Sequence, residues 1–179
     1  VGDRGKRLFV AIDLPDTLKD SLLDAQKQIM GLHAAEGKYP KPEHLHLTLK
    51  FLGNVEENIV SQVMDRLSQI RFKPFELSLG QIGQFPHVIW AGISGDWLEK
   101  LAQEIEAALS DLLPASEHPF HPHITLMRVT RCKDTEKFIE ALKHVAMAKE
   151  SFPVVDFALY NSELTRNGPI HTVIKRFSA

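Results

Sequence analysis

Apolar residues along the chain follow two periods, and the switches between them mark the elements. Residues 7–13, Arg-Leu-Phe-Val-Ala-Ile-Asp, are almost continuously apolar and read as a buried strand. Pro15 and Asp16 then open a helix. Its stripe, Leu18, Leu22, Ala25, Ile29 and Leu32, recurs at helical spacing. Over 44–51 the period becomes two. Leu45, Leu47, Leu49 and Phe51 face one way, and His44, His46, Thr48 and Lys50 the other, which predicts a half-buried strand. Gly53-Asn54 is expected to break it. A helix follows near 56–70 on Ile59, Val63, Leu67 and Ile70, then strands near 75–81 and 87–93. Asp96 is the expected cap of a helix that turns Leu98, Leu101, Ile105, Ala108 and Leu112 inward. A strand over 121–128, a helix near 134–147 on Phe138, Leu142 and Val145, and strands near 153–161 and 171–177 complete the chain.

The order is β-α-β-α-β followed by β-α-β-α-β-β. The opening strands of the two runs begin 80 residues apart, the third strands 78, and His46 and His123 are 77 apart. A nearly constant offset predicts internal duplication, with repeats of approximately 7–81 and 87–177 inside a single two-lobed domain, 1–179. The expected class is α+β: two antiparallel-rich sheets facing a central cleft, with helices outside.

Composition narrows the partners. The 179 residues suit one domain or two closely packed lobes. Lys and Arg number 21 against 23 Asp and Glu, a net charge of −2, which argues against coating long nucleic acid but allows a local anion site. No apolar run approaches the roughly 20 residues of a membrane span. The opening Val1–Arg7 is polar and basic, unlike a secretory signal. A single Cys132 excludes an intramolecular disulfide and a thiolate zinc site. These features predict a cytoplasmic protein with no membrane association and no obligate protein partner. A monomer is expected, because the duplication already supplies both halves of a site.

Two segments carry the chemistry: His44-Leu-His46-Leu-Thr48-Leu49 and His121-Pro-His123-Ile-Thr125-Leu126. Residues i and i+2 of a strand share a face. His46 therefore pairs with Thr48, and His123 with Thr125, while Leu47 and Ile124 anchor the strands. If the repeats face each other, two imidazoles and two hydroxyls converge without a carboxylate or thiolate. One neutral and one protonated imidazole form a general base and a general acid near neutral pH. Two hydroxyls can hold an anion between them. A phosphodiester is such an anion, and in-line displacement at phosphorus needs a base on one side and an acid on the other. His44 and His121 also raise the alternative of a metal held by four imidazoles. No Asp or Glu recurs beside both motifs to support it, so the expectation is no metal and no cofactor.

The chain resembles the two-histidine phosphoesterases, most closely their LigT-like branch, the RNA 2′,3′-cyclic phosphodiesterases formerly called 2′-5′ RNA ligases. The resemblance spans nearly the whole chain. It rests on Arg7-Leu-Phe-Val-Ala-Ile12, His46-Leu-Thr48-Leu-Lys-Phe-Leu-Gly53, Phe85-Pro86, Val88-Ile-Trp90-Ala-Gly92, Pro122-His123-Ile-Thr125-Leu-Met-Arg128 and Leu159-Tyr-Asn-Ser162-Glu-Leu164. One position departs: many members carry Tyr three residues after the late glycine, where this chain has His171 after Gly168. The resemblance implies a bilobed α+β fold and metal-independent opening of a terminal 2′,3′-cyclic phosphate to a 2′-phosphate. It gives His46 the proton donor's role and His123 the acceptor's, with Thr48 and Thr125 on the non-bridging oxygens. The near-equivalent motifs do not by themselves assign those two roles. The implied partner is RNA ending in a 2′,3′-cyclic phosphate, transfer-RNA fragments included. The same site in reverse would join that end to a 5′-hydroxyl.

Further candidates surround the pairs. Lys50 shares the histidine face by alternation and is a candidate phosphate contact. Arg128 points away by strict alternation and needs a bulge to return, but it matches a family arginine. His44 and His121 are cleft-rim candidates, and His171 a substrate candidate. Phe85, His87 and Trp90 could stack on a terminal base, although Trp90 reads foremost as core. Arg131 and Lys133 read as surface charges able to steer RNA. The alternative of a different class is a non-catalytic binder of RNA terminal phosphates, which would need neither an acid nor a base.

Overall fold

Residues 5–179 are described by a computed structural model; residues 1–4, most of the polar basic opening, lie outside the described residues. The chain runs β1 (Lys6–Asp13), α1 (Asp16–Gly31), β2 (Ala35–Lys38), a 3-10 turn (Pro42–His44), β3 (His46–Val55), α2 (Glu57–Leu67), β4 (Phe75–Phe85) and β5 (Val88–Ser94). It continues through α3 (Leu98–Leu109), β6 (His123–Cys132), α4 (Thr135–Leu142), β7 (Ser151–Val154), β8 (Asp156–Thr165) and β9 (Gly168–Ser178). Helix α1 buries Leu18, Leu22, Ala25 and Ile29, the expected stripe, and its exit passes through His33 in a left-handed conformation (φ 49°). At α4 the Asp134 carboxylate accepts from the Lys137 amide at 3.1 Å, satisfying one of the free donors of the first turn. Asp96 does not cap α3: Trp97 holds that position without a side-chain hydrogen bond.

All strand pairings are antiparallel. One sheet has the order β3-β1-β8-β9 and the other β2-β6-β5-β4-β7. Within each half the first strand pairs with the histidine-bearing strand, β1 with β3 and β5 with β6. The third strands cross over. β4 pairs with β5, the opening strand of the second half, and β8 pairs with β1, the opening strand of the first. Each sheet is thus assembled from both halves of the chain. A continuous core joins the helices to one face of both sheets, through residues such as Leu22, Val63, Ile105, Val10, Leu47 and Ile124. A small second cluster, Phe9, Ala11, Ala158 and Tyr160, lies on the opposite face of the first sheet.

Several boundaries differ from the sequence reading. The hydrophobic pattern does not predict β2; it is a four-residue edge strand, Ala-Glu-Gly-Lys, too short and polar to show a period. Gly53-Asn54 does not end β3. The strand continues to Val55, with Gly53 at φ 70° where the register with β1 slips. Helix α4 stops at Leu142, five residues early, and the expected strand 153–161 is two strands, β7 and β8, flanking Val155.

Candidate active site

Alternation along β1 sends Leu8, Val10 and Ile12 to the helix side and Phe9 and Ala11 to the other. His46 lies opposite Asp13, and Thr48 opposite Ala11. Cross-strand partners share a face, so both belong to the side away from the helices. The Phe9 ring lies between two others: 4.9 Å from His46 at 23°, and 5.0 Å from Tyr160 at 6°. On the second sheet, His123 lies opposite Gly92, and Thr125 opposite Trp90. Leu47 and Ile124, between the paired residues, are fully buried. The sheets come together where β3 and β6 approach within 8 Å between Cα atoms. The two His-Thr pairs therefore sit on neighbouring strands of different sheets.

A bulge in each of these strands decides two further residues. In β3 the register with β1 slips at Leu49, so Leu49 and Lys50 both turn toward the core. The expectation that Lys50 shares the histidine face is therefore corrected. Its side chain is 3% exposed, pairs with Glu106 of α3 at 2.6 Å and donates to Ser116 Oγ at 2.9 Å. Phe51, expected in the core, is 68% exposed and lies 6.3 Å from the Phe9 ring. In β6 the slip comes at Leu126. Met127 takes the buried position, and Arg128 returns toward His123, whose proton affinity its charge lowers.

Each outer histidine packs against aromatic rings of its own sheet. His44 meets His171 edge-on at 4.9 Å, and His171 lies 5.5 Å from His46. His121 lies 4.8 Å from Trp90 and 5.0 Å from Phe85, which also meets His123 edge-on at 5.1 Å. Trp90 is half-buried and lines this wall. Its indole lies across Gly83, where an added Cβ would come within 2.2 Å of the ring. The Trp90 indole N–H and His171 Nδ1 are buried without a hydrogen-bond partner. His87 forms the β4–β5 turn at φ 63°, and its carbonyl accepts from the Val129 amide at 2.9 Å. Among the described residues no three His, Cys, Asp or Glu side chains gather as metal ligands.

Sequence reasoning missed the group behind His46. Tyr160 donates its hydroxyl proton to Asp13, and Arg176 of β9 pairs with Asp13 at 2.5 Å and with Asp156 at 3.3 Å. The available signal was period two: Asp13 shares a face with Phe9. Its partners lie about 150 residues away in β8 and β9, which no local pattern reveals.

Burial drives the electrostatics. Desolvation lowers the pKa of His46 to about 4; the neighbouring His171 and His44 add to the shift, and Asp13 opposes it. Desolvation also lowers His123, and the charge of its neighbour His121 acts with that of Arg128. Both rings are therefore neutral near pH 7 in the free protein. His123 Nδ1 lies 2.7 Å from the His121 carbonyl. In the neutral ring that nitrogen carries the proton and donates it to the carbonyl, leaving the Nε2 lone pair free to accept one. His46 makes a weaker contact with the His44 carbonyl. The arrangement offers a base on one strand and a strong acid, once protonated, on the other, with a hydroxyl beside each.

A model of the 2′-5′ RNA ligase superfamily matches residues 15–166. The chain is 34% identical to an RNA 2′,3′-cyclic phosphodiesterase of Methanocaldococcus jannaschii, over 96% of this chain and 99% of that protein. It is similar to a crystal structure of a Thermus thermophilus protein, with TM-score 0.81, 31% identity, and coverage of 96% and 97% of the two chains. It is also similar to Escherichia coli LigT complexed with NADP+, with TM-score 0.78, 29% identity and 98% of each chain covered.

Proposed function

We propose, from the premise that the chain belongs to the 2′-5′ RNA ligase superfamily, that it is an RNA 2′,3′-cyclic phosphodiesterase with His46 and His123 as its acid and base. The protein hydrolyses the terminal cyclic phosphate of RNA. His123 Nε2 takes a proton from water, and the water oxygen attacks phosphorus. The bond from phosphorus to the 3′ oxygen breaks, and His46 protonates that oxygen. The product keeps its phosphate on the 2′ oxygen. Thr48 and Thr125 donate to the non-bridging oxygens, and Arg128 adds positive charge on the His123 side. Run in reverse, the site joins the cyclic end to a 5′-hydroxyl; water near bulk concentration favours hydrolysis.

The observation that carries this reading is the placement of His46-Thr48 and His123-Thr125 on β3 and β6, neighbouring strands of separate sheets. An anion bound between them restores the proton that His46 lacks in the free protein, because a nearby negative charge favours imidazolium. His44, His121 and His171 fit the reading as rim residues that meet ribose or base. Lys50, on the far side of β3, contributes to the fold and not to phosphate binding.

The test is product analysis on a short RNA ending in a 2′,3′-cyclic phosphate, in EDTA, with wild type, His46→Ala and His123→Ala. A 2′-phosphate product from wild type is expected, with turnover lowered at least a hundredfold in each folded variant. Near wild-type turnover in either variant would sink the assignment. Stoichiometric binding without product would favour an RNA-end binder.

A further inference from the structure

We propose that the β2–β6 flank of the cleft is a track for the RNA strand that leads into the reacting end, which makes the preferred substrate an oligonucleotide and not a mononucleotide. The proposal rests on the cyclic-phosphodiesterase reading above. Its starting point is Lys38 of the edge strand β2, which lies directly opposite Arg128 of β6. Like charges opposite each other on adjacent strands destabilise a sheet. Both are exposed, and neither has a carboxylate within ion-pair distance among the described residues. Arg131 and Lys133, further along the same strand and at its end, are equally exposed and equally unpaired, although Glu36 faces Arg131 in the register. Elsewhere some cations are paired, Arg176 with Asp13 and Asp156, Lys50 with Glu106 and Arg66 with Asp111, while others such as Lys41, Arg71 and Arg166 make no ion pair among the described residues; the flank is set apart by the grouping of its cations along one pair of strands. In a chain of net charge −2, four exposed cations around the single carboxylate of Glu36 give this flank a local positive excess that attracts anions.

The strip has direction and length. It starts beside His123 and follows β6 outward. At about 3.3 Å per residue, and with one residue lost to each of the slips at Leu126 and Thr130, the Cα atoms of Arg128 and Arg131 lie roughly 13 and 20 Å along the strand from that of His123, the long Arg128 side chain reaching back toward the histidine. Several nucleotides cover that distance, and a cyclic mononucleotide does not. At its outer end lies a depression of about 390 Å³ whose lining includes Met30, His33, Glu36, Tyr39, Arg131 and Lys133. Two cations and two rings in one depression suit a single strand, with phosphates on Arg131 and Lys133 and a base on the Tyr39 or His33 ring.

The experiment compares a 2′,3′-cyclic mononucleotide with a short oligonucleotide ending in the same group. Wild type is set beside the triple variant Lys38→Ala, Arg131→Ala, Lys133→Ala. Wild type is expected to prefer the oligonucleotide by about tenfold or more in kcat/KM. The variant should lose that preference through KM while turning over the mononucleotide within twofold of wild type. Its dependence of log kcat/KM on log salt for the oligonucleotide should flatten by roughly 0.7 for each cation removed. Wild-type handling of the oligonucleotide by the variant, or an equal loss on both substrates, would overturn the track. Failure of wild type to open either cyclic phosphate would overturn the underlying reading, and the track with it.

Discussion

His46 illustrates how far its surroundings can move a side chain from its ordinary chemistry. A free imidazole is half protonated near pH 6.5. Burial, with His171 and His44 beside it, brings His46 down to about 4, and the Asp13 carboxylate, with the His44 carbonyl, pulls the other way. Those groups come from β9, the 3-10 turn and β1, while Tyr160 of β8 meets the site through Phe9. His123 is also below its ordinary value. Both limbs of the kcat/KM profile are therefore expected on the acid side of pH 6.5, because that profile reports the free protein. The kcat profile should place its alkaline limb at higher pH, since the bound phosphodiester raises the donor's pKa. Replacing Asp13 by Asn removes the one negative charge that favours protonated His46. The alkaline limb of kcat should then move to lower pH by several tenths of a unit. An unmoved limb in a folded Asp13→Asn protein would show that Asp13 only braces Tyr160 and Arg176.

At the scale of elements, the two bulges matter as much as the motifs. Period two places Lys50 with the histidines and Arg128 away from them, and one extra residue in each strand reverses both. The matched positions make the point clear: Lys50 and Met127 are both buried, and Phe51 and Arg128 both turn outward. A buried lysine is tolerated because Glu106 and Ser116 satisfy it. Lys50→Met, which imitates Met127, is expected to leave stability within about 1 kcal/mol of wild type. Glu106→Ala, which strands the ammonium, should cost about 3 kcal/mol. Urea unfolding of the two variants measures both values, and equal losses would contradict the account. A bulge is invisible to alternation because the pairing partner sets it: β1 advances one residue where β3 advances two.

For the whole molecule the decisive feature is the exchange of third strands. Each sheet draws strands from both halves, so neither half completes a sheet alone. We expect a chain divided in the Pro86-His87 turn to give two fragments that are each unfolded in isolation. Mixed, they should regain β-sheet circular dichroism and cyclic-phosphodiesterase activity. A first fragment that folded cooperatively without the second would show that the halves are independent. The exchange also joins the site to distant chain: Tyr160 and His171 reach His46 only because β8 pairs with β1 and β9 with β8.

Local pattern is enough to pick out the candidate residues for the chemistry and most of the elements that hold them. The repeated His-x-Thr pattern, its offset of 77 and the helical stripes depend on side-chain period, and period is local. The same residues carry the resemblance from which membership of the superfamily and an α+β class follow. Contacts between distant strands settle the rest: which face Lys50, Phe51 and Arg128 occupy, which strands neighbour one another, and how Asp13 meets Arg176. Those outcomes depend on register and on pairing between residues up to 163 apart. Side-chain period fixes where a residue points relative to its own strand. Only the partner strand fixes what it points at.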